Sequence, residues 1–459
     1  MKQLKKIKYT IAICLLTILL AACEGFVEID PAPNLVETGK IFSSEETTES
    51  TFLGIYQFMR ASNLSLTNGG MSLYHGLSAD ELELLVSNAT YEPFFNNAVP
   101  TNSGTVGLFW GAGYRMLYRT NAIIEGVEKS VDLSPAYKAV ALGEAHFLRA
   151  FYHFLLVNNF GDIPLALSSV YTDNMTRARD NVDVVYKTII DDLLYAVDNL
   201  HDTHPSMGIY RANRYAAMAL LARVYLYVGN WERASFYAHE LISSPRFTLI
   251  DNVADVFLPA SKENIWAISS IYSNNAEATV FVPRNASITP TTRISDKLVG
   301  AVDGSDPRWM SWTGIWTSKE GVAYYYPAKY KNNAMTPVTE QLIVLRLAEQ
   351  YLIKAEALWK LNKGGEAIEV LNELRIKRGA EALDPVNDDK LIFDAIMKER
   401  QIELFCEWGH RWFDLKRLSL LDQELVESKP NWKNYTKVLP IPEAELLVNV
   451  NLTPNEGYE

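Results

Sequence analysis

The sequence has few cysteines and no apolar run long enough to span a membrane. Only three cysteines occur in 459 residues: Cys14, Cys23 and Cys406. A fold stapled by several disulfides is therefore excluded, and the chain must be held together by its core. The apolar stretch near the start covers residues 10–22, whereas a stable transmembrane helix needs roughly 20 apolar residues.

Positive charge is also scarce. The chain has 43 lysines and arginines against 55 aspartates and glutamates, a formal net charge of −12. Removing residues 1–22 takes away four lysines and leaves about −16. A chain this acidic has no electrostatic route to a phosphate backbone, which excludes a nucleic-acid-binding protein.

Common catalytic and metal-binding motifs are missing from the sequence. No G-x-S-x-G motif is present, and residues 111–113 lack the third glycine and the preceding strand of a phosphate-binding loop. His146 and His153 share one face of a predicted helix, but no third ligand follows at helical spacing. We therefore predict no cofactor and no metal site.

The first residues do carry a signal. Four lysines precede the apolar stretch, as in a secretory signal peptide. Leu20-Ala21-Ala22-Cys23 resembles a bacterial lipobox, in which cleavage precedes the cysteine and its thiol receives lipid. We expect residues 1–22 to be removed and Cys23 to be acylated, and several acyl chains give lasting membrane attachment. The alternative is an ordinary signal peptide followed by an incidental cysteine.

Helical periodicity dominates the rest of the chain. Apolar spacing predicts helices over 108–129, 135–158 and 181–200. Residues 213–243 and 347–375 each match the two-helix tetratricopeptide pattern, with small residues where the helices approach. One helix pair cannot bury its own face, so these units must stack on the other helices. The sequence predicts a mainly α fold, an α-superhelix built on tetratricopeptide-like pairs.

Two segments interrupt the helices. Residues 62–108 read as mostly irregular, with one short helix near 78–87. Residues 246–338 are rich in Thr, Ser, Asn and Pro, with strand-like runs at 263–271 and 278–283. Long loops in a compact protein are usually functional or disordered, so we expect a ligand site in these segments.

Aromatic residues are abundant, at 11% of the chain with 24 tyrosines and 10 tryptophans. Sugar-binding sites combine a few aromatic platforms with sparse polar groups. Both irregular segments have this mixture, and we hypothesise that they form one site, although any single ring can instead belong to the core. The candidate ligand-binding residues are Tyr74, Tyr91, Phe94, Phe95, Asn96, Tyr272, Trp312, Trp316 and Tyr324.

The stretch "EWGHRWFDLKR" (407–417) crowds charged residues as a catalytic centre does. The structural interpretation is a helix that ends at Gly409, followed by Trp412 and Phe413 buried against it. In that interpretation Asp414 pairs with Arg411 or Arg417. We favour the structural interpretation over a catalytic one.

Taken in order, several motifs resemble the SusD/RagB family of outer-membrane lipoproteins. They are the lipobox, "GEAHFLRAFYHFLLVNNFGDIPL" (143–165), "RLAEQYLIKAEAL" (346–358), "KERQIELFCEWGHRWFDLKRL" (398–418) and "VLPIPEAELLVNVNLTPNEGY" (438–458). The resemblance implies a surface-exposed, non-enzymatic protein that captures oligosaccharide, or in some members peptide, for a SusC/RagA-type TonB-dependent transporter. It further implies that the helices face the transporter and that the irregular segments hold the ligand.

We accordingly divide the chain into a signal peptide (1–22), an N-terminal region (23–245), an aromatic-rich insert (246–338) and a C-terminal region (339–459). Two rival functions remain open. A surface glycoside hydrolase needs two facing carboxylates, for which Asp80, Glu81 and Glu83 are the best candidates. A scaffold that uses its helical repeats only for protein partners is the other.

Overall fold

The fold is described from a computed structural model for residues 38–269, 274–334 and 336–459. Cys23 and Tyr272, two of the predicted functional residues, lie outside these ranges. In the described ranges no helix combines the length and the apolar character that crossing a bilayer requires.

The first half of the chain is helical apart from one short strand, β1 (Leu82–Leu84). Its helices are α1 (Thr38–Ile41), α2 (Glu45–Met59), α3 (Gly70–Ser78), α4 (Glu92–Phe95), α5 (Gly104–Lys129), α6 (Pro135–Phe160), α7 (Tyr171–Asn174), α8 (Val182–Asn199), α9 (Arg214–Tyr227) and α10 (Trp231–Ile242).

The second half alternates short strands with helices. The strands are β2 (Asn264–Ile268), β3 (Thr292–Ile294), β4 (Thr313–Thr317), β5 (Ala323–Pro327) and β6 (Leu342–Arg346). The helices are α11 (Ala276–Phe281), α12 (Asp296–Ala301), α13 (Pro307–Trp312), α14 (Leu347–Lys360), α15 (Gly364–Lys377), α16 (Asp389–Leu404), α17 (His410–Arg417), α18 (Leu421–Leu425) and α19 (Glu443–Val448). The predicted mainly α fold is confirmed.

The long helices form one continuous stack. Helix α6 packs between α5 and α8, α8 continues onto α9, and α9 pairs with α10. Gly229 has φ +75° and Asn230 caps α10, so the two-helix unit turns where the sequence predicts. Helix α10 then packs on α14, which pairs with α15. The two tetratricopeptide-like units therefore stack directly although about a hundred residues, 244–346, separate them.

Strands β2 and β6 explain how those units meet. They pair antiparallel and are fully buried, so they bring the two ends of the insert together. Trp266 on β2 lies between the rings of Phe147 and Phe151, each 4.9 Å away and nearly perpendicular. Both strands also contact α9, so the residues between them leave and rejoin the helical stack at one place.

The irregular segments contain more order than we predicted. The predicted short helix near 78–87 instead occupies residues 70–78. Strand β1 lies at 82–84, inside the range where we expected the helix. Residues 276–281 form α11, so the predicted strand at 278–283 is wrong. The run is short and apolar, and such runs do not distinguish helix from strand by periodicity. Asn275 caps this helix through the Glu277 N–H, a local signal that favours the helix.

The turn between α16 and α17 has an unusual backbone. Cys406, Trp408 and Gly409 have φ of 51°, 48° and 73°, a left-handed region that costs a bulky residue energy. Buried polar contacts hold this turn. The Cys406 N–H donates to Glu81, the Trp408 N–H donates to Ser72 Oγ, and burial raises the pKa of the Cys406 thiol.

A buried charge network, which includes Glu407 of this turn, joins the insert to the C-terminal helices. Glu403 accepts hydrogen bonds from Arg308, Arg346 and Arg378, and all four side chains are almost completely buried. The full network has five cations and five carboxylates. Its members are Arg308, Lys329, Arg346, Arg375 and Arg378 with Glu263, Asp306, Glu399, Glu403 and Glu407.

The residues of the 407–417 stretch are structural. Trp412 and Phe413 are buried, and Asp414 accepts hydrogen bonds from Arg400 and Arg417. Arg417 also pairs with Glu356 on α14. These paired, buried charges match the structural interpretation of this stretch. The predicted helix end at Gly409 is wrong, because α16 ends at Leu404 and Gly409 instead precedes α17.

Candidate functional site

The structure separates the predicted ligand-binding residues by burial. Tyr74, Phe94 and Trp312 are at most 3% exposed, so in this conformation they keep almost no surface for a ligand. Tyr272 is outside the described residues. The half-buried ones, which keep a surface for a ligand, are Tyr91, Phe95, Asn96, Trp316 and Tyr324.

Trp312 ends α13 and belongs to the core of the insert. Its indole N–H donates to the carbonyl of Val253 at 2.8 Å, and Phe257 packs edge-on at 5.3 Å. The Lys329 ammonium lies 4.9 Å from the ring centroid. Every side of the indole therefore has a protein partner, which leaves none for a sugar.

Tyr74 of α3 and Phe94 of α4 pack against each other between the two helices. Their ring centroids are 4.4 Å apart, and Phe109 of α5 meets Tyr74 edge-on at 5.8 Å. Tyr91 covers this cluster from outside, 5.9 Å from Tyr74. The cluster anchors the first irregular segment to the helical stack, and Tyr91 is its accessible ring.

The hairpin β4–β5 carries three aromatic rings on one face. Trp316 pairs across the strands with Tyr324, and the rings stack at 6.1 Å with planes 22° apart. Tyr326, two residues after Tyr324 on β5, is paired with Gly314 on β4. The Tyr326 ring lies over Gly314, in the space that a side chain at position 314 would fill. We call Trp316, Tyr324 and Tyr326 the aromatic face. All three are half-buried, as rings that offer one side to a ligand must be.

Polar groups border the aromatic face. The Arg293 guanidinium on β3 lies 5.3 Å from the Tyr324 ring centroid and pairs with Glu83 on β1 and Asp296. The Trp316 indole donates to the carbonyl of Ala286. Charged and amide groups beside aromatic rings are the mixture that binds sugar hydroxyls together with sugar C–H faces. Sequence reasoning missed Arg293, whose place depends on the pairing of β1 with β3.

Strands β1 and β3 link the two irregular segments. They pair antiparallel from Leu82 opposite Ile294 to Leu84 opposite Thr292. Strand β3 also contacts β5, and α4 contacts β1. The two predicted loop regions therefore lie on connected elements, with Arg293 between them. That they form one site stays a prediction.

The three acidic residues proposed for a hydrolase do not form a facing pair. Asp80 is buried and pairs with Arg411 and Lys297, and these cations lower the pKa of its carboxyl to about 2 against the effect of burial. Glu83 pairs with Arg293. Glu81 is 1% exposed and accepts a backbone hydrogen bond from Cys406. No pair of the three opens together onto a cleft in this arrangement.

Two buried carboxyl groups have pKa values above the usual range. Burial raises the pKa of Glu81 to about 8, with a further rise from Asp80, and burial likewise raises the pKa of Glu277 to about 8. Ser72 donates to Glu277 Oε1 at 2.6 Å. Both acids lie under the strained turn, so their protonation is tied to the stability of that region.

We expect Glu277→Gln to stabilise the protein more at pH 8 than at pH 5. Between pH 4.5 and 8 the unfolded state loses the Glu277 proton while the folded state keeps it, so wild-type stability falls as pH rises. Glutamine removes this loss, on the order of 4 kcal/mol at pH 8. Melting curves at both pH values measure it, with exposed Glu427→Gln as the control. An equal shift at both values contradicts the assignment.

The histidines predicted on one helix face have separate structural roles. His146 Nδ1 lies 2.6 Å from the Asp192 carboxylate, which also binds Arg149. His153 is fully buried, and burial lowers its pKa to about 3. Across 38–269, 274–334 and 336–459 no group of three His, Cys, Asp or Glu side chains is arranged to hold a metal ion.

Two family descriptions match most of the chain between them. The family described as "Starch-binding associating with outer membrane" matches residues 28–226, and the SusD family matches residues 297–458. The stretch between the two matches, residues 227–296, contains α10, β2, α11 and β3.

Relatives and solved structures agree with these matches. SusD-like protein P2 of Formosa agariphila is 30% identical over 99% of this chain and 100% of its own length, and P25 of the same organism is 25% identical over 95% and 97%. A SusD superfamily protein from Bacteroides vulgatus superposes with a TM-score of 0.82 at 21% identity, over 91% of this chain and 99% of its own. A laminarin-binding SusD-like protein gives 0.78 at 23% identity, over 90% and 100%. The helical stack and the insert it carries are thus those of the SusD/RagB family, to which this chain belongs.

Proposed function

We propose that this chain is a lipid-anchored protein of the cell surface that binds oligosaccharide and delivers it to a SusC/RagA-type TonB-dependent transporter. It does so without chemistry. Acylated Cys23 holds it to the outer membrane, the helical stack faces the transporter, and the insert binds the glycan. The proposed divisions are 1–22, 23–245, 246–338 and 339–459.

The observation that carries the proposal is the aromatic face. Trp316 and Tyr324 are stacked and half-buried, and Arg293 and Glu83 stand beside them as hydrogen-bonding groups. Family membership and the description of a structural neighbour as laminarin-binding support the same conclusion. The ion pairs of Asp80 with Arg411 and of Glu83 with Arg293 weigh against the hydrolase alternative.

A glycan panel tests the binding function. We expect residues 24–459, which lack Cys23 and carry no lipid, to bind at least one oligosaccharide saturably in calorimetry. We also expect chromatography to recover that oligosaccharide at its original chain length. Shortened products support the hydrolase. Binding of peptides alone supports a peptide-binding member of the family, and binding of neither supports the scaffold.

The anchor and the partner need a test in cells. We expect the full chain to fractionate with the outer membrane and to co-purify with a TonB-dependent barrel. Cys23→Ala removes the acylated thiol, so we expect that variant to leave the membrane fraction. If mass spectrometry of the wild-type protein finds Cys23 without lipid, the proposed anchor is contradicted.

A further inference from the structure

A groove runs along the start of helix α5 and shares no residue with the aromatic face. Its volume is about 380 Å³. One wall is α5, and the other is the end of α2 with the loop that follows. The lining residues are Phe58, Ser62, Ser65, Thr67, Gly104, Gly107, Leu108, Gly111, Ala112, Arg115, Met116 and Tyr152. From Gly104 to Arg115 the helix rises about 16 Å, so the groove suits an extended ligand.

Glycines keep the groove open. A Cβ added at Gly104, Gly107 or Gly111 meets no atom within 4 Å. Two other glycines of the same helix are different, because a Cβ at Gly113 lies 2.7 Å from Leu156 and one at Gly126 lies 2.1 Å from Phe42. Glycine inside a helix costs roughly 0.5–1 kcal/mol relative to alanine. Packing explains Gly113 and Gly126, whereas the groove glycines have no neighbour that requires them.

Arg115 lines the far end of the groove, and Arg119 follows it one turn further along α5. The guanidinium groups of Arg115 and Arg119 lie 5.2 and 4.9 Å from the centroid of the same ring, Phe58. Among the described residues neither has a carboxylate within 4.0 Å. They are one helical turn apart, where like charges repel. In a chain with an excess of acidic residues, this unpaired cationic fork favours an anion.

A polar group inside the groove is also unsatisfied. Ser65 is 6% exposed, and its hydroxyl has no hydrogen-bond partner in the described structure. Unsatisfied buried hydroxyls are uncommon in folded proteins, and a ligand supplies the missing partner. At the other end, Ser103 does not cap α5 with its side chain, so the first turn keeps free N–H groups beside Gly104.

These four features agree in charge and shape, and from them we propose that the groove binds an acidic oligosaccharide, one that carries sulfate or carboxylate groups. Arg115 and Arg119 bind its anionic group, Ser65 and the first turn of α5 bind its oxygens, and the glycines let the sugar rings approach the helix backbone. The proposal rests on the proposed function, because it names the class of glycan.

Calorimetry with residues 24–459 tests it. The probes are carrageenan oligosaccharides for sulfate, oligogalacturonate for carboxylate, and laminari- and malto-oligosaccharides as neutral glycans. We expect an acidic glycan to bind more tightly than the neutral ones and to weaken as salt rises. We expect Arg115→Gln/Arg119→Gln to lower that affinity about ten- to hundredfold, because charge-assisted hydrogen bonds are lost. Exposed Arg233→Gln is the matched control.

A second variant tests the groove without changing charge. A Cβ at position 107 meets no atom within 4 Å, so the side chain of Gly107→Leu has open space to enter. We expect an unchanged or higher melting temperature and at least a tenfold loss of acidic-glycan affinity. Gly365→Leu, which also meets no atom within 4 Å, is its control.

The outcomes separate the two proposals. Binding of neutral glycans alone, equal affinity in the arginine variants, or tighter binding of oligoglutamate than of acidic glycans overturns the groove proposal and leaves glycan binding to be judged from the neutral probes. If no glycan of any charge binds, the proposed function fails and the groove proposal fails with it.

Discussion

Replacing Glu403 by glutamine is expected to destabilise the protein by about 3–5 kcal/mol, or to prevent its folding. Glu403 is completely buried and accepts hydrogen bonds from Arg308, Arg346 and Arg378. These cations hold the pKa of its carboxyl well below the usual range. Glutamine keeps the shape of the side chain but leaves the balanced network with one more cation than carboxylate.

Chemical denaturation measures this loss. The control is Glu369→Gln on α15, an exposed glutamate of similar helical context, which we expect to change stability by less than about 0.5 kcal/mol. Because the folded pKa of Glu403 is lowered, its stabilisation is present above pH 4.5 and is lost as pH falls through the folded pKa. A Glu403→Gln protein as stable as the control shows that the network does not hold the insert to the helices.

Trp312→Ala and Trp316→Ala are expected to have opposite effects although the residues are four apart. Trp312 is buried, so its truncation leaves a cavity and costs about 3–5 kcal/mol of stability. Trp316 is half-buried on the aromatic face, so its truncation changes stability little. We expect it to weaken glycan binding about tenfold, because a stacked ring contributes on the order of 1 kcal/mol or more.

Melting temperature and calorimetry together separate these effects. At a temperature where Trp312→Ala is folded, it should bind glycan as the wild type does. Tyr171→Ala is a useful control, since this ring is 72% exposed on α7 and belongs neither to the aromatic face nor to the groove on α5. Normal glycan binding by Trp316→Ala contradicts the assignment of the ligand site to this hairpin.

The sequence was sufficient to predict the helical stack. Helical periodicity is read from neighbouring residues, and long segments such as 135–158 repeat it many times. That the units at 213–243 and 347–375 stack on other helices followed from their need to bury a face. Their direct contact through α10 and α14 was not predicted. Short elements were harder, because strands of three to five residues such as β1 and β4 contain too few repeats of any pattern.

The site was predicted only in part for a different reason. Trp312 and Trp316 have the same residue type in the same segment, and their burial depends on partners far along the chain. Val253 and Lys329 enclose Trp312, while a hairpin register places Trp316 opposite Tyr324. The charge network is equally non-local, since Arg378 and Glu263 are 115 residues apart. No local pattern carries such information.

The most direct test of the account is hydrogen exchange of the mature chain, with and without a saturating glycan that binds in the panel. The account predicts slower exchange in residues 313–327, unchanged exchange in the α15 segment 364–377, and glycan recovered at its original length. Cleaved glycan, or protection that leaves 313–327 unchanged, contradicts the conclusion that this hairpin binds sugar without chemistry.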